Sequence, residues 1–382
     1  MHDNPALAAA CRAAEHVVPL FVFDPAVPSS PNRDRFLIQC LADLRESLRA
    51  RGGDLLLRRG DPVAEALKVA RKVDATGIAV ARDASAYAKR RERRLAQAGD
   101  RFAVKTFPGS TVVEPGALLP TGGGDHYRVF TPYWRAWLGA PRRPVEAAPR
   151  TVALPDGLPA SVPLPTEPAG GSEATAAGGE TAGRRGLTAW LGKVDGYADT
   201  HDLLATDGTS RLSPFLHFGA VSANEVCARV PVTGPFARQL CWRDFHHQVL
   251  NAFPELGRKS YRADREPDWR DDPEGLDAWR EGRTGVSIVD AGMRQLAAEG
   301  WMHNRARLIT ASYLTKELRI DWRAGAEHFM SLLLDADVAN NHGNWQWVAG
   351  TGNDTKPYRR FNPDRQAERF DPDGAYVRRY VS

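Results

Sequence analysis

Cysteine is scarce in this chain: four in 382 residues, Cys11, Cys40, Cys227 and Cys241, without CxxC spacing and without histidine pairs beside them. That excludes a disulfide framework and a zinc site, and it suits the reducing cytoplasm. Long apolar runs are also missing, so no membrane span is expected, and the start lacks a basic-then-apolar leader. Charge of one sign is in small excess, +4 with a pI near 8.9, which permits an anionic partner without demanding one. The glycine triplet Gly122-Gly-Gly124 lacks the strand before and helix after that a phosphate loop needs.

What is present is ordinary for a globular chain, 42% hydrophobic and 26% charged, and long enough for two domains. A continuous apolar run at 17–23 ends in Asp24-Pro25, as a buried parallel strand does. Helix-period residues follow at 33–48, then a strand at 55–57, a turn at Gly60-Asp-Pro62 and another helix. Further strands are expected at 78–81 and 103–107, with a charged helix at 87–95 between them. This alternation predicts an α/β, doubly wound parallel sheet of Rossmann type over residues 1–138. Residues 139–185 are rich in Pro, Ala, Gly and Thr and read as a linker with little core of its own. Residues 186–382 keep the helical period with no further strand pattern, so an all-helical domain is expected there.

The densest chemistry lies in Asp335-Ala-Asp-Val-Ala-Asn-Asn-His-Gly-Asn-Trp-Gln-Trp347, after an apolar run that reads as the buried end of a helix. Alone, it is equally well a helix end capped by Asp and Asn with tryptophans filling core. Upstream, Trp301, Arg305, Leu308 and Ser312 are spaced to share one helical face, a mixture that suits a flat, polar-edged ligand. Thr209-Ser-Arg-Leu-Ser213 places hydroxyls at a helix start, where phosphate is readily held. Basic residues gather late, in Arg305, Arg307, Lys356, Arg359, Arg360, Arg365, Arg378 and Arg379, as a phosphate-tracking surface or as a solvated face.

Together, Thr209 to Ser213, Trp242-Arg-Asp-Phe245, Asp290-Ala-Gly-Met-Arg-Gln-Leu296, Trp301-Met-His-Asn-Arg305 and Asn341 to Trp347 resemble the flavin-domain signatures of DNA photolyases and cryptochromes, closest to the bacterial class I branch. The resemblance covers nearly the whole chain. It implies a monomeric enzyme without an obligate protein partner or metal. That enzyme would split cyclobutane pyrimidine dimers in ultraviolet-damaged DNA by electron transfer from photoexcited reduced FAD. The rival is a blue-light sensor of cryptochrome type that repairs nothing.

By the same resemblance, Tyr197 and Thr209, Ser210, Arg211, Leu212 and Ser213 would cradle the phosphate and ribityl region, and Asp335 with Asp337 the sugar chain and ring. Arg307 would pair with Asp335. Asn341 would face flavin N5, where an amide favours the reduced ring and plant-type cryptochromes carry Asp. Trp345, Trp322 and Trp279 would pass electrons from the surface. Trp242 and Trp347 would bracket the extruded dimer, with Gln239, Arg243, Asn304, Arg305, Arg360 and Gln366 on the lesion or its phosphates.

Gln239 stands where many dimer photolyases have Glu, which leaves dimer against (6-4) preference open. The first domain would seat an antenna, deazaflavin or alternatively methenyltetrahydrofolate. The stretch Asp83 to Tyr87 with Arg90, Arg91, Arg93 and Arg94 is nearer the deazaflavin branch, and equally a solvated basic helix. Three further departures from the family are expected to matter: an absent innermost strand before Asp3, a Pro357-to-Pro363 run one residue short, and a short C-terminal end.

Overall fold

The structure is a computed structural model that describes residues 1–98, 102–356 and 358–381. Pro357, at the head of the shortened run, and Ser382 lie outside the described residues.

The first part alternates helix and strand: α1 (Pro5–Ala13), β1 (Leu20–Phe23), α2 (Pro31–Arg49), β2 (Leu56–Arg59), α3 (Pro62–Lys72), β3 (Gly77–Ala81), α4 (Ala86–Gln97) and β4 (Ala103–Phe107). The local reasons are plain in the sequence. Asn4, Asp61 and Ser85 cap α1, α3 and α4 by accepting from the N–H three residues on, and Pro opens α1, α2 and α3. Pairing is parallel, with Leu20 opposite Leu56 and Gly77 opposite Ala103.

The expected single sheet is instead two separate two-stranded sheets, β1–β2 and β3–β4. Neither β1 nor β3 has a second strand partner among the described residues, and β3 leaves Gly77, Ala79 and Ala81 exposed. The cores beneath are correspondingly small: Leu41, Leu48, Leu55, Leu57 and Val152 under one sheet, Val63, Leu67, Ala70, Leu95 and Phe102 under the other.

The connecting stretch packs along the α/β part. It has little regular structure, but it is pinned rather than loose. Val152 is 1% exposed, and the N–H groups of Val152 and Val162 donate to Arg51 O and Leu57 O, both at 2.9 Å. Polar backbone in a long connection must find partners when it runs across a protein surface, and here the α/β part supplies them.

The helical part comprises α5 (Phe130–Gly139), α6 (Glu180–Leu191), α7 (Tyr197–Thr200), α8 (Ser213–His217), α9 (Ala223–Ala228), α10 (Pro235–Ala252), α11 (Pro273–Arg280), α12 (Ser287–Glu299), α13 (Asn304–Ser312), α14 (Trp322–Leu332), α15 (Val338–Ala349), α16 (Pro363–Phe370) and α17 (Ala375–Val381). After α5 its helices resume at Glu180, ahead of the expected 186. A π-helical turn, Tyr313–Glu317, follows α13.

Two large clusters fill this part. One gathers Trp137, Trp190, Phe245 and Val249; the other gathers Trp279, Trp322, Trp345, Ile309 and Leu314. Helix α15 lies between them because two glycines let its neighbours close in. A Cβ on Gly325 of α14 would fall 2.2 Å from Trp345 Cη2, and one on Gly343 of α15 would fall 2.3 Å from His246 Nδ1 of α10. The two parts of the chain are joined by Asp244. Its buried carboxylate accepts from Val112 N at 3.2 Å, Val113 N at 2.8 Å and Trp137 Nε1 at 2.9 Å.

Candidate functional site

A pocket with about 520 Å³ of empty space, part of it continuous with solvent, opens among α13, α14 and α15. Asn304, Arg307, Leu308, Asp335, Asn341 and Trp345 are among the residues that line it. All six were singled out from the sequence, and they come from α13, α15 and the run between α14 and α15, which meet only on folding.

Arg307 and Asp335 form a two-pronged ion pair, Nη1 to Oδ1 at 3.0 Å and Nη2 to Oδ2 at 2.8 Å, while Arg307 Nε donates to Met302 O at 2.8 Å. The planar fork matches the carboxylate and fixes both groups at the pocket wall. Asp337 caps α15, accepting from Asn340 N and Asn340 Nδ2, both at 2.8 Å. Burial pushes its carboxyl up, but the imidazoles of His247 and His217, the Arg243 guanidinium and the Asn340 N–H together hold it below the usual range.

Asn341 is 9% exposed and donates from Nδ2 to Ala326 O at 2.9 Å. That bond fixes the amide against α14 at the pocket wall. Asn340 and Asn344 add amides, while Phe329, Leu333, Trp345 and Val348 add apolar wall. A flat heteroaromatic ring with polar edges fits this lining. No group of three or more metal-ligating side chains occurs among the described residues.

The phosphate-side candidates stand apart from this lining. Tyr197 is 7% exposed and packs on Trp190 and Phe236. Ser210 Oγ accepts from Leu212 N at 3.3 Å, Leu212 is 1% exposed, and Thr209 and Ser213 are half-buried. Arg211 lies over the Trp301 ring at 4.3 Å and donates to Glu299 at 3.0 Å. The segment still flanks the acidic pair, because His217, four residues past Ser213, feels the charges of Asp337 and Asp335.

Several sequence readings change. Trp301 precedes α13, which begins at Asn304, so it does not share a helical face with Arg305, Leu308 and Ser312; His303 caps that helix instead, accepting from Arg305 N at 3.1 Å. Arg305 is tied to Asp202 at 2.7 Å and lies over Phe370 at 4.3 Å. Arg243 donates to Ser110 O at 2.5 Å and Leu216 O at 3.3 Å. Both are cations drawn inward by acceptors, not open phosphate ligands. Arg360 pairs with Glu317, Gln239 and Asn304 are exposed, and Gln366 has a buried Oε1 without a partner.

Trp242 lies flat on Phe130, with ring centroids 3.6 Å apart and planes 3° apart, so one of its faces is already covered. Trp347 sits beside Phe361 and carries Arg359 over its ring at 4.7 Å. The helices bearing them touch at His246 and Gly343, one helical turn from each indole.

None of the three tryptophans expected to relay electrons reaches solvent: Trp345 is 2% exposed, and Trp322 and Trp279 are 0%. Trp279 stands edge-on to Trp345 at 5.9 Å, with its N–H on Thr310 O. A path from the surface needs a partly exposed end, which Trp279 lacks. Trp269, missed in the sequence, is half-buried. Its N–H donates to Glu266 at 2.7 Å, and Glu266 also holds Arg323, which lies over the Trp322 ring at 4.8 Å. The signal that could have found it is an aromatic among charged residues, Arg265-Glu-Pro-Asp-Trp-Arg270.

Residues 1–151 match the family described as DNA photolyase, and residues 236–382 match the FAD binding domain of DNA photolyase. A deoxyribodipyrimidine photo-lyase of Streptomyces griseus is 51% identical over 397 residues, covering 100% of this chain and 87% of the relative. The chain belongs to the DNA photolyase family. A second relative of the same description, from Halobacterium salinarum, is 39% identical over 99% of this chain and 86% of its own length.

Among solved structures, a class III photolyase from Agrobacterium tumefaciens superposes with a TM-score of 0.91 at 36% identity, covering 100% of this chain and 84% of that one. A cryptochrome from Synechocystis gives the same TM-score at 29% identity, covering 100% and 86%. The α/β part followed by a helical FAD-binding part is therefore the photolyase fold. Among the described residues no helix is long and apolar enough to cross a membrane.

Proposed function

We propose that this chain repairs ultraviolet-damaged DNA by opening cyclobutane pyrimidine dimers in light, as a monomer in the cytoplasm, with FAD as its working cofactor. The observation that carries this reading is the convergence of the Arg307–Asp335 pair, Asn341 and Trp345 on one pocket. When bound, reduced FAD supplies the chemistry: excited by light, it lends the dimer one electron and recovers it after the ring opens.

The protein's own part is positioning and electrostatics. The Arg307–Asp335 pair is a fixed dipole at the pocket wall, which can orient a polar-edged ring without rearranging when the ligand binds. Asn341 accepts a hydrogen bond at the ring edge and carries no proton that titrates near neutral pH. Trp345 is the inner stop of an electron path and Trp322 the next, and Trp269 gives that path the solvent contact that Trp279 lacks. Removing Trp269 as Phe should slow light-driven flavin reduction more than removing Trp279 does. Transient absorption of the flavin-loaded protein measures it, and the opposite order returns the surface role to Trp279.

Trp242 and Trp347 offer indole faces for stacking an extruded dimer, and Asn304, Gln239, Arg360 and Gln366 offer polar contacts around it. Binding by such a surface weakens as salt rises. On the α/β side, Tyr87 donates to Asp24, and Arg91 and Arg90 lie 4.9 and 5.9 Å from the tyrosine ring, a setting suited to an anionic antenna.

The test is illumination of the reduced, flavin-loaded protein with dimer-containing DNA, following the recovery of pyrimidine absorbance. Recovery is expected. No recovery with flavin bound and reduced rejects repair in favour of a light sensor, the reading that the cryptochrome neighbour supports. A parallel (6-4) substrate decides what Gln239 selects.

A further inference from the structure

The first turn of α2, in the α/β part, caps the last turn of α14, some 300 residues later in the chain. The carbonyls at the end of a helix have no partners within it, and here those of Met330, Ser331 and Leu332 are the orphans. Ser30 Oγ donates to Ser331 O at 2.7 Å, and Asn32 Nδ2 donates to Leu332 O at 2.6 Å. Arg33 Nη1 donates to Met330 O and, at 3.2 Å, to Leu333 O. The Arg33 charge also sits where the helix macrodipole is negative. Three side chains of one helix turn thus replace the water that would otherwise solvate the end of another helix.

Asn32 is the hub of this contact. It is 1% exposed, accepts from Ser172 N at 2.8 Å and donates to Ser172 Oγ at 3.0 Å, so the connecting stretch is fastened at the same point. Two glycines with left-handed backbone make room for its amide. A Cβ on Gly171 (φ +81) would lie 2.5 Å from Asn32 Oδ1, and one on Gly300 (φ +59) would lie 2.9 Å from Asn32 Nδ2. Gly300 ends α12, and its carbonyl accepts from Leu334 N at 2.8 Å.

The capped segment leads directly into the pocket. Leu333, Asp335 and Ala336 all line it, and Asp337 caps α15 two residues later. The short run 333–337 is therefore held at one end by α2 and Gly300 and at the other by α15. We propose that Ser30, Asn32 and Arg33 are positioning residues for the flavin pocket: a latch from the α/β part that fixes the run bearing Asp335 before the cofactor arrives. This rests on the proposed flavin site. A ligand whose site is formed only part of the time binds more weakly by that fraction, so loosening the latch weakens binding without touching the lining.

The test compares the wild-type chain with Asn32→Asp, which keeps the shape but removes the donor, and with Arg12→Ala, which cuts an exposed ion pair to Glu146 away from the latch. Equilibrium FAD titration of the flavin-stripped full chain is read beside hydrogen exchange of the 333–337 amides. For Asn32→Asp the FAD dissociation constant should rise about tenfold and those amides should exchange faster, with Arg12→Ala matching wild type. A lowered unfolding midpoint with unchanged affinity and unchanged exchange at 333–337 would mean a merely structural contact and overturns the proposal.

Should Asn32→Asp fail to fold, Ser30→Ala removes a single donor, and a rise of about threefold is expected; no rise overturns the latch. Exchange is read without flavin. A wild-type chain that binds no FAD would therefore overturn the flavin reading, while the latch stands or falls on exchange alone.

Discussion

The α/β part and the helical part are built to different standards of closure. In the first, two short sheets stand apart, each over a few apolar side chains, and β3 shows alternate residues to solvent. In the second, two extended clusters enclose whole tryptophans, and glycines at 325 and 343 bring helices within contact of each other's side chains. The difference teaches where precision is needed. A pocket that must hold an arginine fork against a carboxylate depends on rigid neighbours, whereas a part that mainly supplies caps and edges tolerates openness.

The sharpest way to break that comparison is to remove the fork. Arg307→Leu leaves the buried Asp335 without its partner, which is expected to cost about 3 kcal/mol or more and to abolish flavin retention. Denaturant unfolding and flavin absorbance measure the two effects.

Next is the joint between the parts. Burial raises the Asp244 carboxyl to about 6, above its ordinary 3.8, against the pull of Trp137, Val113 and Arg243. A carboxyl raised on folding adds stability that is fully present below its unfolded pKa and is lost as pH rises through about 6. Asp244→Asn does not titrate. The wild-type advantage over Asp244→Asn should therefore shrink between pH 4 and pH 7, seen in midpoints across that range. A growing advantage would place a cation, not burial, in control of the group.

A smaller effect is expected from Gly325→Ala, whose new methyl must displace Trp345 and should cost about 1–3 kcal/mol with a shift in tryptophan emission. The smallest belongs to the α/β surface. Arg94→Ala removes an exposed pair with Asp61 and should leave the unfolding midpoint unchanged.

Much of this was legible in the residues. The alternation of apolar runs with helical periods located every strand within a few positions, because period 2 and period 3.6 follow directly from backbone geometry. The helix end at Leu332 and the Asp337 cap follow from chain-local chemistry, as does the crowding of Asn341 and Trp345 on α15. What stayed hidden was pairing across distance. Nothing near Arg305 or Arg243 announces that Asp202 and the carbonyls of Ser110 and Leu216 will draw them inward. The exposure of Trp269 against the burial of Trp279 is likewise a property of packing, since both are tryptophans among charged neighbours. The caps that α2 places on α14 link residues some 300 positions apart, beyond any local pattern.

The most direct test of the account is equilibrium titration of the purified, flavin-stripped chain with FAD, wild type beside Arg307→Leu. One FAD per wild-type chain, with binding lost in the variant, is the predicted result. Equal binding by both would contradict the assignment of the pocket among α13, α14 and α15.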